Sequence, residues 1–236
     1  MSMMNSTGTD HVMKRFSTEL TSCNEKLDSV LFSEPKKILI YGRAASGKTN
    51  FILNVIKCSI SKARETHDLY RTLFVYISTE GPNYIERAEQ LGLLDSENVL
   101  YAEALDTLHL ISLISTLIRT SLISRVAMIA IDSINFHYRV EASSIDETKR
   151  FVTLLTLLDV ISSNGIWVLA SAQIREAVNN IDDLTHIEPS GFQYLEPWAD
   201  VIARIEVLHQ HRILIVEKPK HLEIPFSIVK EGIAWH

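Results

Sequence analysis

The amino-acid sequence predicts an α/β domain with a mostly parallel central sheet that is flanked by helices. Short apolar runs rich in β-branched residues alternate along the chain with longer segments whose apolar residues recur every three or four positions. The short runs are almost continuously apolar, which is typical of strands that helices cover on both faces. A glycine-rich phosphate-binding pattern lies between the first apolar run and the first long helical segment.

The predicted domain covers residues 37–236, and residues 1–36 are a polar lead-in in which we expect one short helix around Leu27 to Phe32. Strands are predicted at residues 38–41, 73–78, 126–131 and 166–170, and helices at residues 50–61, 84–91, 105–118 and 147–163. A polar stretch over residues 174–190 predicts a long loop. Short strands are then predicted at residues 201–207, 213–216 and 225–229.

The composition is that of one ordinary globular domain. The chain has 236 residues, of which 46% are apolar and 22% are charged. A domain of this length buries roughly 70% of its unfolded surface, so its core needs no disulfide or metal. This composition excludes disordered, collagen-like and disulfide-scaffold proteins. The formal charge of −6 excludes a surface that attracts nucleic acid as a whole, but leaves room for a local basic groove.

The two cysteines, Cys23 and Cys58, form no CxxC pair and no Cys/His cluster with the spacing of a zinc site. We therefore expect reduced thiols in an intracellular protein. The start of the chain is polar, and no segment offers the run of about 18 apolar residues that a membrane helix needs. The sequence thus predicts a soluble, cytoplasmic protein.

The strongest functional signal is the octapeptide at residues 42–49, which matches GxxxxGK[ST] at every fixed position. Glycines let such a loop wrap a phosphate with its amide groups, and the following helix adds the positive end of its dipole. Lys48 would reach the β- and γ-phosphates, and Thr49 would ligate Mg²⁺. The simpler alternative is a glycine-rich turn without a ligand. The predicted nucleotide-binding residues are Gly42, Arg43, Ala44, Ala45, Ser46, Gly47, Lys48, Thr49 and Asn50.

Three polar residues follow predicted strands, at the edge where an α/β sheet binds its ligand. Asp132 ends the run 126–131 and is the expected second residue on the magnesium side. Glu80 is placed to polarise a water that attacks the γ-phosphate. Gln173 would sense that phosphate. Each has a simpler alternative as a turn residue, with Asp132 capping a turn at Ser133.

Together these residues resemble the RecA-type recombinase family, in particular the ATPase core of archaeal RadA and its RadB-like paralogues. The resemblance is collinear from about residue 37 to 233. It is carried by residues 78–81 with Glu86 and Arg87, residues 131–134 with 137–139, residues 168–173, residues 225–228 and residues 231–233. It implies a RecA-like P-loop NTPase core whose mostly parallel sheet has a C-terminal antiparallel extension.

The resemblance implies an ATP-binding accessory protein of homologous recombination and DNA repair, with weak, Mg²⁺-dependent ATP hydrolysis. It makes Glu80 the water-activating carboxylate and Gln173 the γ-phosphate sensor, and it makes Lys48 the third catalytic residue. Thr49 and Asp132 become the metal-side residues. ATP and Mg²⁺ are the implied cofactors. The implied partners are a RadA-type recombinase or another paralogue, single-stranded DNA, and further copies in an oligomer.

The departures from the family narrow these expectations. The chain has no room for a helix-hairpin-helix domain, and residues 16–19 do not reproduce the Phe-x-x-Ala polymerisation motif, so we expect no self-assembling filament. The two predicted DNA loops, near residues 139–147 and 174–190, carry more acidic than basic side chains. Because phosphate contacts carry most non-specific DNA affinity, we expect modest binding. A KaiC-like regulatory ATPase that acts on protein partners without DNA is the alternative, and a small-molecule kinase matches less well.

Two further hypotheses concern the C-terminal part. The first hypothesis is that Lys218 acts on the nucleotide of a neighbouring subunit. The simpler alternative is that it is a solvated turn residue beside Pro219. The second hypothesis is that three aromatic residues after the second loop stack on bases. The simpler alternative is that they pack into the core; the residues are Phe192, Tyr194 and Trp198.

Overall fold

The computed structural model describes residues 19–34, 36–67, 69, 72–140, 144–174, 188–208 and 211–236. In this part of the chain, nine strands form one sheet with the spatial order β3-β2-β4-β5-β1-β6-β7-β8-β9. The strands are β1 (Lys37–Gly42), β2 (Leu73–Ser78), β3 (Val99–Glu103), β4 (Val126–Asp132), β5 (Trp167–Gln173), β6 (Val201–Leu208), β7 (His211–Lys218), β8 (Leu222–Val229) and β9 (Gly232–Trp235).

The sheet has a parallel part and an antiparallel part. The pairs from β3 to β6 in spatial order are parallel, whereas β6, β7, β8 and β9 pair in antiparallel fashion. This arrangement confirms the predicted fold class, including the antiparallel extension at the C-terminus. It also gathers the carboxyl ends of β1, β2, β4 and β5 at one edge of the sheet, where parallel α/β folds bind ligands.

Three of the seven helices in the described part of the chain begin at a side-chain cap. The seven helices are α1 (Glu25–Leu31), α2 (Lys48–Glu65), α3 (Ile85–Gln90), α4 (Thr107–Arg119), α5 (Phe136–Val140), α6 (Ile145–Ser163) and α7 (Phe192–Trp198). Asn24, Asp106 and Ser144 cap α1, α4 and α6, because each side chain accepts a hydrogen bond from the amide three residues ahead. Among the described residues, no helix is long and apolar enough to cross a membrane.

The core lies on both faces of the sheet, as the almost continuous apolar strands predict. In β1, Ile38 and Ile40 pack into the cluster that contains buried residues of α2, while Leu39 and Tyr41 belong to the cluster with α4 and α6. Since β1 is buried on both faces, its carboxyl end is held rigidly. The loop that follows it therefore has a well-defined position.

The predicted strands, helices and lead-in helix are confirmed with shifts of a few residues, but β3, β9, α5 and α7 were not predicted. Strand β3 lies at the edge of the sheet, and its exposure alternates irregularly, so it lacks a continuous apolar run. Strand β9 has only 4 residues. Helix α7 has 7 residues with Pro197 inside, which masks any helical signal. Most of the predicted loop 174–190, the centre of the first predicted DNA loop and the Phe-Ser-Thr part of residues 16–19 lie outside the described residues.

The prediction of reduced thiols is contradicted, because Cys23 and Cys58 form a disulfide. The two residues are 35 positions apart in the sequence, and no short pattern joins them. They meet because the segment before α1 packs along α2, where the amide of Thr21 donates a hydrogen bond to the Ser59 hydroxyl at 3.0 Å. The bond therefore ties the lead-in segment to the helix that follows the phosphate-binding loop.

We expect loss of this disulfide to destabilise the fold. Closing a loop of this length is worth about 4 kcal/mol in the chain-entropy account. Urea unfolding of the wild type with and without reductant, and of the Cys23→Ala/Cys58→Ala variant, should show a lower midpoint whenever the bond is absent. Reductant should leave the double variant unchanged. Two free thiols in the denatured, unreduced wild type would contradict the disulfide.

Candidate functional site

The predicted site residues converge on one cavity at the carboxyl edge of the parallel strands. The cavity has a volume of about 320 Å³. The predicted residues that line it are Ala44, Ala45, Gly47, Lys48, Thr49, Asn50, Glu80, Asp132 and Gln173. Gly42 and Ser46 are buried behind the loop, and Arg43 is exposed outside the cavity.

The phosphate-binding loop, residues 42–49, depends on its two glycines. A Cβ atom at Gly42 would lie 2.7 Å from the backbone oxygen of Ile205, which leaves no room for a side chain. Gly47 has a φ of 112° and directly precedes α2, so it occupies a backbone conformation that other residues rarely adopt. These constraints explain why glycine stands at both positions, independently of any ligand.

Lys48 is a buried residue whose ammonium group lies on the loop itself. Its Nζ donates hydrogen bonds to the backbone oxygens of Gly42 at 3.1 Å and Arg43 at 2.8 Å. Burial lowers the pKa of Lys48, and the carboxylates of Asp132 and Glu80 oppose this shift. A phosphate in the cavity would favour the protonated ammonium further.

Asp132 is a buried carboxylate that three hydroxyl groups hold. Its Oδ2 accepts hydrogen bonds from Thr49 Oγ1 at 2.6 Å and from the Tyr76 hydroxyl at 2.7 Å. The hydroxyl of Ser171 donates to the other oxygen. Burial, followed by the charge of Asp132, raises the pKa of Tyr76, so this phenol stays a neutral donor. The carboxylate is thereby fixed beside the first turn of α2.

Glu80 follows β2 at the rim of the cavity. Its Oε1 accepts a hydrogen bond from the Ser133 hydroxyl at 2.7 Å, which links the end of β2 to the end of β4. The backbone turn behind it is held by Ser78, whose hydroxyl donates to the Gly81 oxygen at 2.6 Å. Glu80 is exposed, so its carboxylate can contact both water and a ligand in the cavity.

Gln173 ends β5 and is held by two residues of the segment after β4. The side-chain amide of Asn135 accepts from the Gln173 backbone N and donates to its backbone O, both at 3.0 Å. The same amide nitrogen lies 3.2 Å from the Ser190 oxygen. Arg139 donates from Nη1 to Gln173 Oε1 at 2.8 Å. Gln173 is thus connected to both ends of the predicted second loop and to the start of the first.

The other two hypotheses concern residues that do not line the cavity. Lys218 donates to the backbone oxygen of Ala199 at 2.5 Å, so within this chain it contacts the end of α7. Trp198 is buried and donates from Nε1 to the Leu155 oxygen at 3.2 Å, while Phe192 packs on Tyr41. Tyr194 packs near the Tyr138 and Phe151 rings. These contacts support the packing alternative for the three aromatic residues of α7.

Several residues that line the cavity were not predicted as site residues. They are Tyr76, Ser78, Gly81, Asn83, Tyr84, Arg87, Arg212 and Ile228. Tyr76 lies inside an apolar strand and looks like a core residue. Arg212 and Ile228 belong to β7 and β8, far from the phosphate-binding loop in the sequence. Only the strand order brings them to the site. Ile228 lies in the run 225–228 that carries the family resemblance, but nothing in that run points to the cavity.

The donor set fits a hard cation such as Mg²⁺, which prefers carboxylate and hydroxyl oxygens and retains some of its water. Thr49 and Asp132 supply one oxygen of each kind in direct hydrogen-bond contact. The positive Lys48 and the amide-rich loop lie in the same cavity, which favours phosphate groups beside the cation.

Comparison with known proteins relates the chain to a known family. The model of the Rad51 family matches residues 15–183. Proteins called "DNA repair and recombination protein RadB" are also similar. That of Methanocaldococcus jannaschii is 30% identical over 210 residues, which cover 82% of this chain and 90% of the relative. Two from Methanococcus maripaludis are 29% identical over 206 residues and 28% identical over 217 residues, each covering 82% of this chain and 88% of the relative.

We expect Tyr76→Phe to weaken Mg²⁺ binding about tenfold, because a hydrogen-bond partner that orients a metal-side carboxylate is lost. The measurement is the Mg²⁺ dependence of binding of a fluorescent ADP. Tyr101→Phe is the matched control, since Tyr101 stacks on Tyr84 and its buried hydroxyl makes no hydrogen bond within the described residues. Equal Mg²⁺ dependence in the wild type and both variants would contradict this role for Tyr76.

Proposed function

We propose, since the chain belongs to the Rad51 family, that it is an ATP-binding accessory protein of homologous recombination and DNA repair. The observation that carries the proposal is the convergence of the phosphate-binding loop, Asp132, Glu80 and Gln173 on one cavity. The relatives called DNA repair and recombination protein RadB support the biological setting. A cytoplasmic location follows from this role.

The nucleotide is bound through the phosphate-binding loop and the N-terminus of α2. Thr49 and Asp132 would hold Mg²⁺, which would offset the charge that develops on the phosphate oxygens. The hydroxyl groups of Tyr76 and Ser171 keep the Asp132 carboxylate in one orientation. The ammonium of Lys48 leaves the carbonyl oxygens of its own loop and binds phosphate oxygens instead.

Hydrolysis depends on Glu80 and Gln173. The Glu80 carboxylate, held on one side by Ser133, orients and polarises the attacking water. Glu80 is exposed in the single chain, and we expect slow turnover because a site that excludes bulk water strengthens such a carboxylate. The side-chain oxygen of Gln173 accepts from Arg139, which orients the amide and leaves its N–H groups as donors for a γ-phosphate.

The partners that we propose are a RadA-type recombinase and, with modest affinity, single-stranded DNA. Arg139 and Ser190 stand at the borders of the predicted DNA loops, and both are bonded to the Asn135–Gln173 unit. Nucleotide binding next to Gln173 can therefore reach the loops through direct contacts. The specific proposal is that ATP, and not ADP, favours partner binding.

The test of this function is ATP turnover alone, with single-stranded DNA and with a RadA recombinase. Lys48→Ala should lose at least 100-fold in turnover, because an ammonium at the phosphates is worth several charge-assisted hydrogen bonds. Lys62→Ala is the control, since Lys62 lies on the same helix and forms an exposed ion pair with Glu19 at 2.6 Å. Stimulation by DNA or RadA would support recombination. Turnover that neither DNA nor RadA changes would instead favour a KaiC-like regulatory ATPase.

A second test uses the lowered pKa of Lys48. Phosphates bind the ammonium form, so above the pKa of the free protein, binding must take up a proton and weakens by up to tenfold per pH unit. As the pH is raised, ADP affinity should therefore begin to fall at a pH below the ordinary lysine pKa. In Lys48→Arg the guanidinium stays charged, and this fall should be absent. The same alkaline loss in both proteins would rule out Lys48 as its cause.

A further inference from the structure

Arg212 of β7 reaches the phosphate-binding loop from the antiparallel part of the sheet. Its Nε donates a hydrogen bond to the backbone oxygen of Ser46 at 3.0 Å. A Cβ atom at Gly47 would lie 3.4 Å from Arg212 Cδ, so the side chain passes directly over the last glycine of the loop. Arg212 also lines the cavity that contains Lys48 and Thr49.

The two terminal nitrogens of Arg212 are donors that the described part of the fold does not use. Within the described residues, Nη1 and Nη2 make no hydrogen bond or ion pair, and the Nε bond to Ser46 is the only one from this guanidinium. The other two cationic side chains that line the cavity differ from Arg212 because their charged groups donate to several backbone oxygens. Lys48 is bonded to its own loop, and Arg87 donates to the backbone oxygens of Val229, Lys230 and Gly232.

The position of Arg212 is set by the sheet. In the ladder it pairs with Val207 of β6 and Phe226 of β8, so its backbone is held on both sides. The Ser46 contact then fixes the guanidinium, since Nε is part of the rigid plane that carries the Nη groups. A planar fork of unused N–H donors beside a phosphate-binding loop matches the geometry of phosphate oxygens.

We propose that Arg212 is a nucleotide-binding residue that donates from its Nη groups to the phosphate chain of a bound nucleoside di- or triphosphate. This inference rests on the ATP binding proposed above. The loop and α2 bind the phosphates from one side, and Arg212 closes the site from the side of β7. It is a third cation in a cavity whose carboxylates are Glu80 and Asp132, which improves the charge balance for a polyphosphate.

The test compares the wild type with Arg212→Gln and Arg212→Lys in the binding of ADP, ATP, tripolyphosphate and adenosine, by displacement of a fluorescent ADP. Arg212→Gln should bind ADP, ATP and tripolyphosphate 10- to 100-fold more weakly, with little change for adenosine. Arg212→Lys keeps the charge but loses the fork, so its affinities should be intermediate. Arg204→Gln is the matched control, because Arg204 lies on the adjacent strand, pairs with Glu217 at 2.8 Å and does not line the cavity.

The outcomes separate this inference from the proposed function. Unchanged phosphate affinities in Arg212→Gln, while the wild type binds nucleotide, would overturn the role of Arg212 alone. An equal loss for adenosine and tripolyphosphate would also overturn it, because Arg212 would then support the whole cavity and would not contact phosphates. A wild type that binds neither ADP nor ATP would overturn the proposed ATP binding itself.

Discussion

The site depends above all on the buried carboxylate of Asp132. An ionised carboxylate that is 7% exposed is costly unless hydrogen bonds or a cation compensate it. Here the compensation comes from three separate elements, through Tyr76 of β2, Thr49 of α2 and Ser171 of β5. Because each hydroxyl must reach the same group, the carboxylate sets the relative positions of the strands and the helix around the cavity. The neighbouring Ser133 extends this arrangement to Glu80.

The antiparallel strands hold the outer parts of the site. The turn between β8 and β9 receives the guanidinium of Arg87, and Lys57 of α2 donates to the Glu231 oxygen in the same turn. Asn54 of α2 accepts from the amide of Ile233 at 3.0 Å. The helix after the phosphate-binding loop and the segment after Glu80 are therefore tied to the same hairpin. Side chains of both elements thus contact backbone atoms of one hairpin.

Much of the parallel sheet could be predicted from the sequence, because strands buried on both faces produce continuous apolar runs. Residues that follow such strands, such as Glu80 and Asp132, could be proposed as site residues for the same reason. The edge strand β3 has no continuous apolar run, so it was not predicted. Arg212 lies at the site only because of the order of the strands in the sheet. The Cys23–Cys58 disulfide was missed because it depends on how the lead-in segment packs along α2. Local patterns thus predict the residues that follow a strand, but not those that a neighbouring strand supplies.

The nucleotide-free position of Lys48 has a physical consequence for the whole site. Its two hydrogen bonds go to neutral carbonyl oxygens, which are weaker acceptors than charged phosphate oxygens. A phosphate in the cavity would therefore draw the ammonium away from the loop. The side-chain oxygen of Gln173 already accepts from Arg139, which leaves the amide N–H groups of Gln173 as donors for a phosphate. Gln173 is bonded to Arg139, and its backbone is bonded to Asn135, which also contacts Ser190. Gln173 thus lies between the nucleotide cavity and the borders of the predicted DNA loops.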